Sequence, residues 1–117
     1  MQYVFLIYTD EAAGVQMTPE QQEAIMGAYW KFEELVSARG VRRAGEALMP
    51  TMTAKTVRVR EGKTLTTDGP FAETKEQLGG FYLLDCKDLD EAMEFAAQIP
   101  SVAGGSIEVR PVMVFEQ

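Results

Sequence analysis

Thr66–Asp85, TTDGPFAETKEQLGGFYLLD, is the stretch whose reading decides the fold. It opens on Asp68-Gly69-Pro70, a turn signal: proline pushes the preceding residue out of the α region, and glycine tolerates the geometry that results. A charged segment follows, and then a strand, Leu78–Cys86, that is apolar in both of its alternating sets. Phe81 and Leu83 point to one side, Tyr82 and Leu84 to the other. An antiparallel strand with one face in water alternates apolar and polar residues instead. Both faces of this strand therefore need cover.

The first strand, Gln2–Tyr8 (QYVFLIY), has the same character, with Tyr3, Phe5 and Ile7 opposite Val4, Leu6 and Tyr8. Thr9–Met17 reads as a loop. Thr18-Pro19-Glu20-Gln21 starts a helix through an N-cap, a proline at the first helical position and a capping box. Ile25, Tyr29, Phe32 and Val36 recur at helical spacing, and Gly40 ends the helix. Val41–Met49 is a second strand, closed by Pro50. Glu61-Gly62 joins Lys55–Arg60 to Lys63–Thr67 as a hairpin that looks solvent-facing. Asp88–Glu91 is a second capping box. It opens a helix whose stripe is read as Leu89, Ala92, Met93 and Ala96, and Ile99-Pro100 closes it. Ser106–Phe115 is the last strand, with Pro111 marking an edge or a bulge.

The order is strand, helix, strand, hairpin, strand, helix, strand. Without the hairpin it is βαββαβ, an α+β ferredoxin-like plan whose antiparallel sheet carries two helices on one face. In that plan the first and third core strands are central, and these are the two strands apolar on both faces. Two helices cover one face only. Leaving the other face wet forgoes roughly 1.5–3 kcal/mol for each large side chain. A homodimer, sheet against sheet about a two-fold axis, is the simplest cover; the alternative is that the hairpin folds over the face. Polar residues on the outer strands, Glu46, Glu108 and Arg110, would then rim a concave site floored by apolar strands.

Composition narrows the chemistry. The chain has 117 residues, which fits one domain, 1–117. A formal charge of −7 disfavours nucleic acid, whose phosphates need surplus Lys and Arg. No apolar run is long enough for a membrane span, and MQYVFLIYTDE lacks the basic start of a secretory signal. One cysteine, Cys86, excludes an internal disulfide and suits a reducing cytoplasm. The absence of histidine removes the commonest general base near neutral pH and the His-containing zinc sites. No EF-hand, P-loop or GxGxxG spacing occurs, so neither a metal nor a cofactor is expected.

Candidate site residues come from the turn and the rims. Asp68 reads either as a lock on its own turn or as a carboxylate beside a site. Phe71 reads as an anchor tucked into the core. Asp68 and Glu73 are the candidate catalytic bases. Arg110 is a candidate anion hook through its guanidinium, with Glu46, Lys75 and Tyr8 as further ligand-binding candidates. The ordinary readings are a solvated charged loop for Glu73 and Lys75, a cross-strand ion pair for Arg110, and amphipathic core for Tyr8. Gly79-Gly80 marks a bulge or a close backbone approach.

The segment VRVREGKTLTTDGPFAETKEQLGGFYLLDCKDLDEA, with GEALMP before it and GGSIEVRPVM after it, resembles the DGPF-type branch of the YCII-related family. The resemblance spans essentially the whole chain. It implies a dimeric α+β barrel and an association with extracytoplasmic-function sigma factors. The His–Asp pair suspected of catalysis in related YCII proteins has no counterpart here. Two functions follow as expectations. One is a ligand-binding or regulatory accessory protein with a small anionic molecule or a sigma factor as partner. The other is a small cofactor-independent enzyme of isomerase, lyase or oxygenase type, with a carboxylate base and an arginine anion binder.

Overall fold

The computed structural model describes residues 1–116. The elements are β1 (Gln2–Thr9), α1 (Glu11–Val15), α2 (Pro19–Ala38), β2 (Arg42–Ala47), β3 (Lys55–Arg60), β4 (Lys63–Asp68), β5 (Gln77–Asp85), α3 (Leu89–Ala96) and β6 (Ser106–Pro111). Short 3-10 turns occupy Thr51–Thr53 and Pro100–Ala103. The main sheet runs β2-β5-β1-β6, with every pair antiparallel. This is the order the βαββαβ plan requires, with β1 and β5 in the centre. β3 and β4 pair only with each other, as a separate two-stranded sheet.

Alternation on the central strands divides the two faces. Tyr3, Phe5, Ile7, Tyr82 and Leu84 are buried under the helices with Phe32, Val36, Ala92, Phe95, Ala96 and Ile99. Phe32 and Tyr82 meet edge-on, with ring centroids 5.1 Å apart. Val4, Leu6, Phe81 and Leu83 lie on the opposite face and are only half-buried. Opposed residues in an antiparallel pair share a face. Cross-strand pairs therefore place Glu46 beside Phe81, and Glu108 and Arg110 beside Leu6 and Val4, all on this open face. The hairpin does not fold over it, since all of its residues but Thr56 are exposed.

Caps set the helix ends as their residue types dictate. Thr18 Oγ1 accepts from Gln21 N–H, and the Gln21 side chain accepts from Thr18 N–H. Asp88 accepts from Glu91 N–H, but Glu91 reaches back to Lys87 N–H, so the second box closes one residue early. Gly79-Gly80 does both things expected of it. The β1–β5 register slips there, and a Cβ on Gly80 would stand 2.8 Å from the Glu46 carbonyl oxygen.

Four sequence readings are corrected. Thr9–Met17 contains a short helix, capped by Asp10, which accepts from Ala12 and Ala13 N–H. Helix α3 buries Ala92, Phe95 and Ala96, while Leu89 and Met93 are both 52% exposed. The last strand stops at Pro111, because proline has no N–H to continue a ladder. Val112 N–H still bonds the Gln2 carbonyl, but Met113, Val114 and Phe115 are exposed. Phe71 is 78% exposed rather than anchored in the core.

Candidate functional site

A cavity lies on the helix side of the sheet, between the first half of α2 and the ends of β2 and β5. Its volume is about 480 Å³. It exists because α2 contributes its buried residues late, at Phe32 and Val36. Ile25, Met26, Tyr29 and Trp30, one to two turns earlier, face the gap instead. The glycines of β2 and β5 keep the floor low, and Phe81 and Tyr82 border it. A concave, mostly apolar space of this size is typical of small-molecule sites.

Its polar groups are few, and two of them are tied to neighbours. Arg42 Nε donates to Glu33 Oε2 at 2.7 Å, and Arg42 Nη2 approaches Glu33 Oε1 at 3.4 Å and the Gly45 carbonyl at 3.3 Å. The Tyr29 and Ser101 hydroxyls share a hydrogen bond at 2.6 Å, tying α2 to the turn before β6. Burial, followed by the neighbouring Glu33 carboxylate, pushes the Tyr82 phenol well above the ordinary tyrosine range. The phenol therefore stays protonated, a neutral donor beside a neutralised ion pair. The site can hold an uncharged molecule with one or two polar atoms. Among the described residues no three His, Cys, Asp or Glu side chains converge.

The sequence candidates are distributed elsewhere, with one exception. Glu46 borders the helix-side cavity at the end of β2, although its pairing with Phe81 assigns its side chain to the open face. Asp68, at the end of β4, forms an ion pair with Lys55 across the base of the hairpin. It does not bond its own turn, which is held by Gly69 N–H to the Ala54 carbonyl (2.7 Å) and by Thr56 Oγ1 to the Gly69 carbonyl (2.8 Å). Gly69 has φ +89°, a left-handed conformation that glycine adopts without strain. Glu73 borders a second, shallower cavity of about 370 Å³ with Thr51, Met52, Pro70, Ala72, Thr74 and Gln77. Lys75 is exposed beside it.

Tyr8 sits on the open face opposite Leu78 and Ser106. Arg110 is exposed on the same face, opposite Val4, and forms no ion pair among the described residues. The expected cross-strand pair is thus absent from the single chain. The structure does not bring Asp68, Glu73, Lys75, Tyr8 and Arg110 together around one cavity.

Sequence reasoning missed Glu33 and Arg42 as a pair, and Glu11. The signal for Glu33 was its place one turn after Tyr29 and one residue after Phe32, a carboxylate beside an apolar stripe. Glu11 accepts from Thr51 N–H at 2.9 Å and Thr51 Oγ1 at 2.7 Å, while its own N–H donates to Gln77 Oε1 at 2.9 Å. It fastens the root of the hairpin to the ends of β1 and β5.

No helix among the described residues is long and apolar enough to cross a membrane. A family model described as the YCII-related domain matches residues 1–116. A protein of Rhizobium meliloti (strain 1021), described as uncharacterized, is 40% identical over 118 residues, covering 99% of this chain and 95% of the relative. The chain belongs to the YCII-related domain family.

Proposed function

We propose that this member of the YCII-related family, of its DGPF-type branch, is a cytoplasmic homodimeric binding protein for a small, uncharged, largely apolar molecule. The molecule sits between α2 and the sheet, and its presence is read by a regulatory partner, an extracytoplasmic-function sigma factor. The observation that carries this reading is the mostly apolar cavity of about 480 Å³, in whose wall Glu33 is paired with Arg42 and Tyr29 with Ser101. A charged ligand entering it would have to break the Glu33–Arg42 pair, leaving one charge without its partner. An anion would be drawn instead to Arg110 or Lys75, and neither borders this cavity. The enzymatic alternative is weaker for the same reason, since Asp68 and Glu73 do not border it either.

Dimerisation through the open face follows from Val4, Leu6, Phe81 and Leu83, which no helix covers. A two-fold axis would lay this patch on itself and offer Arg110 the partner's acidic rim.

Calorimetry and thermal shift with neutral aromatic and aliphatic compounds, against their carboxylate and phosphate analogues, test the ligand class. Neutral compounds should bind, and Ile25→Phe, which fills the cavity, should weaken them at least tenfold. Binding of anions alone, or binding indifferent to Ile25→Phe, overturns the assignment. Sedimentation should give a dimer that Leu6→Lys splits. Co-purification with the cognate sigma factor, strengthened or released by the ligand, tests the regulatory half.

A further inference from the structure

The β3–β4 hairpin is an amphipathic element without a partner. Its register places Val57 opposite Thr66 and Val59 opposite Thr64 on one face. The other face carries Arg58 opposite Leu65 and Arg60 opposite Lys63. Val57 and Val59 are 64% and 61% exposed. An isolated two-stranded hairpin is at best marginally stable in water, so a face built from β-branched residues calls for cover. The charge is segregated as well. The hairpin, residues 55–68, holds four cations and two acids, net +2, which leaves seven cations and sixteen acids, net −9, on the rest of the chain.

A matching surface lies on the outer stripe of α2. Glu23, Met26, Trp30 and Glu34 follow one another at helical spacing. Met26 is 57% and Trp30 63% exposed, with an acidic residue at each end of the stripe. Both side chains also border the cavity. Arm and stripe are complementary: two valines on a net positive arm, and a methionine and a tryptophan flanked by glutamates on a net negative body. Both stay exposed within one chain, so they do not cover each other there.

We infer that the hairpin of one copy docks on the Met26–Trp30 stripe of a second copy, reciprocally, and closes the mouth of its cavity. A two-fold pair satisfies both arms at once. Strands of six residues reach about 20 Å, enough to pass the edge of a sheet. Val57 and Val59 cover Met26 and Trp30, and the net positive arm is drawn to the acidic body around that stripe, Glu23 and Glu34 included. The partner copy thus completes the site. The inference rests on reading the helix-side cavity as the ligand site.

Trp30 is the chain's one tryptophan, so its fluorescence reports the contact directly. Iodide quenching of the full-length protein is measured from nanomolar to micromolar concentration, alongside sedimentation. Quenching should fall at least twofold as dimer forms, and 0.5 M salt should partly restore it. Val57→Ser/Val59→Ser should restore it at every concentration. Should that variant misfold by circular dichroism, Arg58→Glu/Arg60→Glu, on exposed positions, replaces it with the same expectation. Equal quenching in wild type and variants where both are dimeric overturns the inference, as does a wild type that stays monomeric. Neutral-ligand binding with Trp30 fully quenchable removes the arm contact alone. A protected Trp30 in a protein that binds no neutral compound removes the ligand reading alone.

Discussion

Removing Arg42 isolates the feature on which the neutrality of the cavity depends. Arg42→Ala leaves the Glu33 carboxylate facing an apolar space without a counter-charge, and also deletes the bond to the Gly45 carbonyl. Ion pairs in full solvent contribute about 0.2–1 kcal/mol, whereas breaking a fully buried pair costs about 3–5 kcal/mol. The Arg42 and Glu33 side chains are 31% and 27% exposed, so screening brings the pair well below the buried value. A coupling of about 1–2 kcal/mol is the expected result. Arg42→Ala should cost about 2 kcal/mol and Glu33→Gln about 1.5 kcal/mol. The double variant should cost no more than about 2 kcal/mol, because the second change removes a charge the first has stranded.

The unfolding entropy of an average chain, about 2.1 cal/mol/K per residue, gives about 0.25 kcal/mol/K here, so Arg42→Ala should lower Tm by about 8 °C. Urea unfolding of the four proteins, at fixed protein concentration and with m-values compared, measures the cycle. Additivity within about 0.3 kcal/mol would mean that the two groups do not meet in solution. The cavity would then present an unpaired carboxylate, and a cationic ligand would replace the neutral one.

Phe95→Ala should cost about 3–5 kcal/mol and Met93→Ala less than about 0.5 kcal/mol, since one side chain is 1% and the other 52% exposed; comparable losses in urea unfolding would rotate α3. Asp85 is held below its ordinary value of 3.8 first by its hydrogen bond from the amino terminus and that group's charge, then by Arg43. A depressed carboxylate stabilises the fold above its unfolded pKa and loses that contribution as pH falls through the folded one. The stability gap between wild type and Asp85→Asn should therefore be constant from about pH 5 to about pH 7 and close below the ordinary carboxylate range; a gap that widens on acidification reverses the sign. Burial, then the charges of Glu91 and Asp85, push the Cys86 thiol from 9.0 up to about 11. Alkylation by iodoacetamide at pH 8 should accordingly be slow in the folded protein and speed up on unfolding. The raised pKa also means that stability falls as pH climbs from about 9 to about 11, where the unfolded thiol ionises first.

Strand identity was legible because side-chain alternation is a local property. β1 and β5 declared two buried faces in the sequence, and the centre of the sheet is where they are. The start of α2 was legible for the same reason, with Thr18, Pro19 and Gln21 all acting within one turn. The rotation of α3 was not. Leu89-Ala92-Met93-Ala96 and Ala92-Phe95-Ala96-Ile99 are both sound helical stripes, and only the path of the chain into and out of the helix selects the second. Phe71 was misjudged because the turn before it is pinned to the hairpin, through Gly69 and Thr56, rather than to the sheet. The cavity was invisible for a further reason. It arises from where α2 begins to touch the sheet, and Ile25 and Tyr29 carry the same periodic signal as Phe32 and Val36. Among the candidate residues, Glu46 borders the cavity by its place at the end of β2, while Asp68 was carried away by its hairpin.

The radius of gyration, 16.4 Å, exceeds the roughly 13.4 Å expected of a compact chain of this length. The hairpin and the segment after Pro111 are the elements that expose Val57, Val59, Met113, Val114 and Phe115. Apolar surface of this kind invites aggregation unless something makes association selective. Charge supplies selectivity on the proposed reading. A body at −9 repels another body in most orientations, while an arm at +2 is attracted to it in few. Random encounters are disfavoured and the reciprocal one is favoured, which also makes the pairing sensitive to salt. An arm used in this way cannot also pack on its own sheet. That accounts for a hairpin inserted between β2 and β5, rich in β-branched residues yet left in solvent, and for Glu11 being spent on fixing its root.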